Sequence, residues 1–154
     1  MLWSVTVKQL KSIECSVADS DSQDETRVFS LDTVTPLPTT QLLFKIVGVV
    51  TEVIQENVLS TLYSVQDATG SVACFLYHKG DSAKQEIELN TYYRFVGKMR
   101  WLRQERGVPD SHVHLDLECA QKLTDMNELT FHFLESIHQH LLRKKAQANK
   151  MIIE

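Results

Sequence analysis

The sequence has few cysteines, prolines and glycines, and these shortages argue against several classes of protein. Its 154 residues include 3 Cys, 3 Pro and 5 Gly. Cys15, Cys74 and Cys119 are far apart and form no CxxC pair. That spacing disfavours a disulfide-stapled domain or a zinc site and predicts buried thiols in a reducing compartment. With 43% hydrophobic residues, the composition is typical of one ordinary globular domain.

Long apolar runs and a net positive charge are also missing. No run approaches the roughly 18 residues of a membrane span, and no signal peptide follows Met1. We therefore expect a soluble, intracellular protein with no membrane partner. The formal net charge is −4. A nucleic-acid-binding surface would have to be a local basic patch on an acidic chain.

Recognisable catalytic and metal-binding motifs are absent from the sequence. It contains no P-loop, GxGxxG, HExxH or nucleophile motif. His132, His138 and His140 lie on one predicted helix, but at about 100° per residue they point in three directions. His112 and His114 share a strand face without a third ligand. We therefore predict no enzymatic activity, no metal and no cofactor.

Five runs of residues have the alternation or the β-branched composition of strands. The first three are separated by polar breaks with Asp and Gly turn chemistry. Gly48 lies inside the first run, and glycine in an apolar strand often marks a bulge or a bend at a barrel corner. The five runs are residues 42–54, 58–65, 71–77, 92–102 and 112–119. The last has the cleanest alternation, which predicts Val113, Leu115, Leu117 and Cys119 inward and His112, His114, Asp116 and Glu118 outward.

Short helical and extended segments surround these runs. A helical turn is predicted within residues 78–90, where Asp81 or Ser82 could serve as its N-cap. A short strand followed by a helical turn is predicted within residues 2–13, and another short strand over 28–35. This order predicts an all-β fold with helices: a five-stranded OB-fold barrel with a helix between strands 3 and 4 and a long C-terminal helix.

The C-terminal helix is predicted over residues 126–148, with Asp125 as its cap and Glu128 as a capping-box partner. Its apolar stripe is wider than one small barrel needs, which indicates a partner. The alternative is a helix that only plugs the barrel of its own chain. We assign residues 1–123 to an OB-fold domain with an N-terminal extension and 124–150 to an oligomerisation helix. The candidate subunit-interface residues are Met126, Leu129, Phe133, Leu134, Ile137 and Leu141.

Aromatic residues and cations are predicted side by side on the third and fourth strands. Period-2 alternation places Phe75 and Tyr77 on one face of the third strand. Binding of single-stranded nucleic acid without regard to sequence needs aromatic faces and nearby cations. An alternative places Phe75 and Trp101 in the core. Asp116 and Glu118 would repel phosphate from the groove that these aromatic and basic side chains would form, so we expect weak binding of nucleic acid. The candidate nucleic-acid-binding residues are Tyr77, Trp101, Phe75, Arg94, Lys98, Arg100 and Arg103.

Three stretches of the chain carry a resemblance to a known family. They are VTVKQL at 5–10, FKIVGVVTEV…LYSVQDATG at 44–70 and LTDMNELTFHFLESIHQHLL at 123–142. The chain resembles the middle subunit of replication protein A, and it is also similar to the related middle subunit of the telomere-capping complex. The resemblance implies a nuclear heterotrimer that binds single-stranded DNA in replication, repair or telomere maintenance. The C-terminal helix would join one helix from each of a large and a small OB-fold subunit.

The resemblance also implies where bases would stack. The matching positions are Tyr77, at the end of the third strand, and Trp101, before the hairpin that joins strands 4 and 5. The family usually has Trp at the first position, and a shift of one residue would place Leu102 at the second. The phosphorylated arm and the winged-helix domain that the family commonly carries are not visible here. The alternative function is a purely architectural subunit of a telomere-capping or telomerase-associated complex, without direct DNA contact.

Overall fold

The computed structural model describes residues 2–12, 14–17, 27–30, 37–38, 42–78, 86–101 and 113–153. The described chain forms nine strands and two helices. In chain order they are β1 (Leu2–Ser4), α1 (Val7–Lys11), β2 (Glu14–Val17), β3 (Arg27–Ser30), β4 (Leu37–Pro38), β5 (Leu43–Glu56), β6 (Ser60–Asp67), β7 (Gly70–Tyr77), β8 (Tyr92–Trp101), β9 (Val113–Lys122) and α2 (Asn127–Ile153).

Strands β5 to β9 close into a barrel. The larger sheet has the order β1-β5-β6-β7-β9-β8, and β8 also pairs with β5, which closes the ring. All pairings in the ring are antiparallel except β7 with β9. The five-stranded OB-fold-like barrel and the long C-terminal helix predicted from the sequence are confirmed. Strands β2, β3 and β4 form a separate three-stranded sheet.

Several predicted boundaries differ from the structure. The helical turn predicted within residues 2–13 is helix α1, which begins at Val7. It begins there because Thr6 and Gln9 form a reciprocal capping box, with the Thr6 side chain accepting from the Gln9 backbone. Most of the helical turn predicted within residues 78–90 falls on 79–85, outside the described residues, and 86–91 carry no helical conformation. In the segment predicted as a strand over 28–35, β3 ends at Ser30, and residues 31–35 are not described.

Two of the stretches that carry the family resemblance meet at α1. The Asp67 carboxylate accepts hydrogen bonds from the backbone of Val7 at 2.9 Å, Thr69 at 2.7 Å and Gly70 at 3.1 Å. The Thr69 hydroxyl in turn accepts from the Lys8 backbone at 3.0 Å. The turn between β6 and β7 therefore satisfies the free N–H groups at the start of α1, which is a structural role.

Gly48 lies where β5 changes partner. The residues before it pair with β8, those after it pair with β6, and Val49 pairs with both Gln66 and Tyr92. A Cβ atom on Gly48 would stand 2.7 Å from the Gln66 carbonyl oxygen. Glycine therefore allows the close backbone approach at this barrel corner. The register shifts of β5 lie further along the strand, between Val50 and Glu52 and between Val53 and Gln55.

We expect Gly48→Ala to lower the free energy of unfolding by about 1–3 kcal/mol, because the added methyl group overlaps backbone atoms that cannot rotate away. Urea denaturation of the full chain measures this. Gly70→Ala is the matched control, since its Cβ would meet only a Val7 methyl group at 3.5 Å. Equal losses in the two variants would contradict the close-approach explanation.

The barrel interior is filled by the inward members of each alternating strand. Val113, Leu115 and Leu117 are buried as predicted, and Cys74 is fully buried, which raises the pKa of its thiol. Cys119, also predicted to point inward, is exposed. The register shift between β8 and β9 inserts one extra residue of β9, so the alternation reverses and Ala120 takes the inward position.

Candidate nucleic-acid interface and assembly helix

An aromatic cluster lies on the outer face of β7 and β9. The rings of Phe75 and Tyr77 have centroids 6.3 Å apart and are inclined by 20°, and the His114 ring lies 5.2 Å from that of Phe75. Strand alternation brings them together, because Phe75 and Tyr77 are successive outward residues of β7 and β9 pairs beside it. Phe75 is half-buried here and does not belong to the core cluster, so its alternative placement in the core is wrong.

Arg100 of β8 completes this cluster. Its guanidinium carbon lies 5.6 Å from the centroid of the Phe75 ring, and its Nη1 donates a hydrogen bond to the Tyr77 hydroxyl at 2.8 Å. Tyr77 is 45% exposed. An exposed aromatic ring beside a cation is the arrangement that stacks a base and attracts its phosphate.

The cations of β8, which are Arg94, Lys98 and Arg100, are largely paired with acidic side chains. Arg100 lies 3.9 Å from Asp116, and Lys98 lies 3.5 Å from Glu118, both across the β8–β9 pairing. Arg94 is directed elsewhere: it contacts Gln121 and lies 3.6 Å from Glu128 at the start of α2. Burial raises the pKa of Asp116, and the neighbouring Arg100 partly opposes this. A phosphate must therefore compete with carboxylates for the cations.

The other predicted binding residues are placed only in part. Trp101 ends β8 and pairs with Val113, but its side chain lies outside the described part of the chain, as do Leu102 and Arg103. His114 was not predicted as a binding residue. Its outward parity on the fifth strand was visible in the sequence, but its contact with Phe75 depends on the β7–β9 pairing.

Removing the carboxylates should strengthen binding. We expect Asp116→Asn and Glu118→Gln each to tighten single-stranded DNA binding by about two- to fivefold at low salt, the effect of one exposed charge pair. Fluorescence anisotropy of a labelled oligonucleotide measures this. Glu88→Gln is the control, because this substitution removes the same charge at a residue that pairs with Lys122 outside the cluster. Equal effects in all three variants would assign the gain to net charge alone.

Helix α2 turns its apolar face away from the barrel. The predicted cap is present, since Asp125 accepts a hydrogen bond from the Asn127 backbone at 2.9 Å, whereas the Glu128 carboxylate pairs with Arg94 rather than with the cap. On the barrel side His132 and Ser136 are buried. Large apolar side chains on the opposite side are more than half exposed. They are Met126, Phe131, Leu134, Ile137, Leu141 and Leu142.

The predicted interface row is divided by this orientation. Leu129 and Phe133 are half-buried and line a cavity of about 300 Å³ with Val49, Ala68 and Tyr92 of the barrel. The remaining predicted members, including Ile137, lie on the exposed face. The alternative of a helix that only plugs its own barrel is not supported, because the wider part of the apolar stripe is more than half exposed and covers none of the described barrel residues.

The described residues contain no group of three or more His, Cys, Asp or Glu that could hold a metal ion. In the part of the chain that the structure describes, no helix is long and apolar enough to cross a membrane. His132, one of the histidines considered above, donates from Nε2 to the Val5 carbonyl oxygen at 3.0 Å.

Comparisons with known proteins agree with this architecture. No family model matches the chain. It is 28% identical over 145 residues to Replication factor A protein 2 of Schizosaccharomyces pombe, a match that covers 94% of this chain and 44% of that protein. The chain therefore spans less than half the length of this relative.

Two solved structures are also similar. A chain of a replication protein A heterotrimer bound to ssDNA has a TM-score of 0.68 and 25% identity. The match covers 92% of this chain and 97% of that one. A chain of yeast RPA bound to ssDNA has a TM-score of 0.63 over 91% of this chain and 89% of that one, and at 18% identity it supports the fold alone. The Schizosaccharomyces pombe relative and the first of these structures confirm the resemblance to replication protein A.

Proposed function

We propose that this chain, which resembles the middle subunit of replication protein A, is the middle subunit of a heterotrimer that binds single-stranded DNA. It assembles through α2 with a large and a small OB-fold subunit, and its own barrel contacts DNA weakly. The observation that carries the proposal is the orientation of α2, whose apolar face points away from the barrel.

The exposed face of α2 is costly for an isolated chain. Burying a Leu, Ile, Phe or Met side chain contributes about 1.5–3 kcal/mol, and five such residues of α2, together with Met126 just before it, stand more than half exposed. At about 100° per residue, Leu134, Ile137 and Leu141 lie at the centre of this face, flanked by Phe131 and Met126. A face this wide suits two neighbouring helices, as in the three-helix bundle that the resemblance implies.

The weak DNA contact follows from the aromatic cluster and its acidic surroundings. A base stacked on Phe75 or Tyr77 would gain roughly 1–3 kcal/mol, without regard to sequence. Lys98 and Arg100 would contribute the salt-dependent part, reduced by their pairing with carboxylates. Such a barrel adds to the affinity of a complex and is a poor binder alone.

A second function is favoured by one observation. Each described cation of the β8 row faces a carboxylate, which suits an architectural subunit of a telomere-capping or telomerase-associated complex without direct DNA contact. The exposure of Tyr77 and its contact with Arg100 favour the first proposal. In either case we propose a nuclear, non-enzymatic role, with residues 1–123 as the OB-fold domain and 124–150 as the assembly helix.

Co-expression tests the proposed function. The mass of the full chain is measured alone and with candidate large and small OB-fold subunits. We expect self-association of the chain alone, and a stable 1:1:1 complex with partners that binds an oligonucleotide. A well-behaved monomer that ignores both partners would overturn the proposal, and a 1:1:1 complex whose DNA affinity is independent of Phe75 and Tyr77 would favour the architectural function.

A further inference from the structure

The side of α2 that faces the barrel is unusually polar. Ser136 is fully buried there and His132 is 1% exposed, while most of the described large apolar residues of the helix point to solvent and, among them, only Leu129 and Phe133 pack toward the barrel. An amphipathic helix normally buries its apolar stripe against the core of its own chain. Polar groups therefore contribute much of what holds α2 in place on the barrel.

These polar groups meet the backbone edge of β1. One edge of β1 pairs with β5, and Val5, which follows it, donates its backbone N–H to the Lys45 carbonyl at 3.1 Å. On the other edge, the Ser4 N–H donates to Oε1 of Gln139 at 2.9 Å, and just past the strand the Val5 carbonyl accepts from Nε2 of His132 at 3.0 Å. Gln139 of α2 thus satisfies an N–H group that a further strand would otherwise bind, and His132 satisfies the carbonyl where the strand ends.

Charged side chains reinforce this contact. The Glu135 carboxylate lies 2.9 Å from the Lys45 ammonium of β5 and accepts a hydrogen bond from the Ser4 hydroxyl. The Arg143 guanidinium lies 5.0 Å from the centre of the Trp3 ring. Contacts at 132, 135, 139 and 143 follow one side of the helix over three turns, so they set its rotation about its axis.

We propose that His132 and Gln139 are positioning residues for subunit assembly, which clamp α2 to the Ser4–Val5 edge and so direct its apolar face toward the partner subunits. The inference rests on the proposed function of α2. It assigns residues 2–5 a part in assembly although they need not touch a partner. We call the hydrogen bonds from Ser4 to Gln139 and from His132 to Val5 the edge clamp.

The edge clamp should also respond to pH. Burial lowers the pKa of His132; the Val5 carbonyl, Glu135 and Asp67 oppose this, and Lys45 adds to it. The Arg143 cation lies on the same side of α2. Because the docked pKa is below the ordinary value of about 6.5, protonation favours the undocked helix. The contribution of neutral His132 to docking is fully present above about pH 6.5 and is progressively lost as the pH falls below that value.

Amide exchange of the full chain, followed by NMR, tests the clamp directly. The Ser4 amide is protected by Gln139, whereas the Val5 amide, bonded to Lys45, is an internal control. We expect Gln139→Leu and His132→Leu to raise Ser4 exchange relative to Val5 by about tenfold or more, and His132→Gln, which keeps a donor, to restore it. Unchanged Ser4 exchange in both Leu variants would overturn the clamp.

A pH series on the same chain gives a readout that a merely structural contact would not. Between pH 7.5 and 5.5, Ser4 protection relative to Val5 should fall by up to about tenfold in the wild type and stay level in His132→Gln. If a Leu variant raises the exchange of both amides, β1 itself has been lost, and the wild-type pH series becomes the deciding measurement. Ser4 protection that does not change with pH in the wild type would count against the clamp.

Assembly of the same variants tests the positioning role. We expect Gln139→Leu and His132→Leu to lower the yield of 1:1:1 complex, with recovery in His132→Gln. Normal assembly with an open clamp would overturn the positioning role and leave the proposed function intact. Normal assembly of Ile137→Asp, whose side chain lies on the exposed face, would instead overturn the proposed function whatever the clamp variants do.

Discussion

Ile137→Asp should prevent formation of the heterotrimer while the barrel remains folded. Ile137 is 52% exposed at the centre of the apolar face of α2, and it makes no contribution to the core cluster. In a helix bundle its side chain would be fully buried, where an unpaired carboxylate is far more costly than the lost apolar contact. We expect at least a hundredfold loss of assembly, and the same from Leu141→Asp.

Size-exclusion chromatography of the co-expressed subunits measures the loss, and circular dichroism with thermal unfolding checks the barrel. Asn149→Asp is the matched control, because it places the same charge at an exposed, polar position of α2. It should assemble like the wild type. Recovery of an intact 1:1:1 complex from either Ile137→Asp or Leu141→Asp would contradict the bundle.

Removing both rings of the aromatic cluster should weaken DNA binding by the assembled complex. The double variant Phe75→Ala, Tyr77→Ala leaves Arg100 without its ring and hydroxyl contacts and removes the stacking surface of β7. At roughly 1–3 kcal/mol per stacked base, one lost base would lower affinity by about 5- to 150-fold. The salt dependence should change little, because no phosphate-binding cation is removed.

Titration of the reconstituted complex with a labelled oligonucleotide at several salt concentrations measures both quantities. Tyr77→Phe is the control: it keeps the ring and removes only the hydroxyl that accepts from Arg100, so it should bind close to the wild type. Wild-type affinity in the double variant would favour the architectural subunit, since the barrel would then contribute nothing to DNA binding.

Local periodicity was enough to predict the main elements. Period-2 alternation placed Val113 and Leu115 inside and Phe75 and Tyr77 outside, because a strand's side chains alternate whatever it pairs with. Spacings of 3 and 4 likewise identified a long helix with too much apolar surface. The same reasoning failed at Cys119, because one inserted residue in the β8–β9 pairing reverses the alternation beyond it.

Contacts between distant segments could not be predicted in this way. The row of cations on the fourth strand was visible in the sequence, but its pairing with Asp116 and Glu118 depends on the register of β8 against β9. The role of Gly48 likewise depends on where β5 exchanges β8 for β6. Register is set by the whole barrel, so residues far apart in the chain decide it together.

The sequence by itself determined a five-stranded barrel, a helix with more apolar surface than the barrel covers and the outward position of two aromatic rings, because these follow from repeats within single elements. Only the tertiary structure decided which side of the helix faces the barrel. Gln139 meets the free edge of β1 and His132 meets the Val5 carbonyl just beyond it, and these polar contacts hold the side of α2 opposite Leu134, Ile137 and Leu141 against the barrel. Hydrogen-bonding groups on a strand edge exist only once that strand has paired, so no local pattern could reveal them.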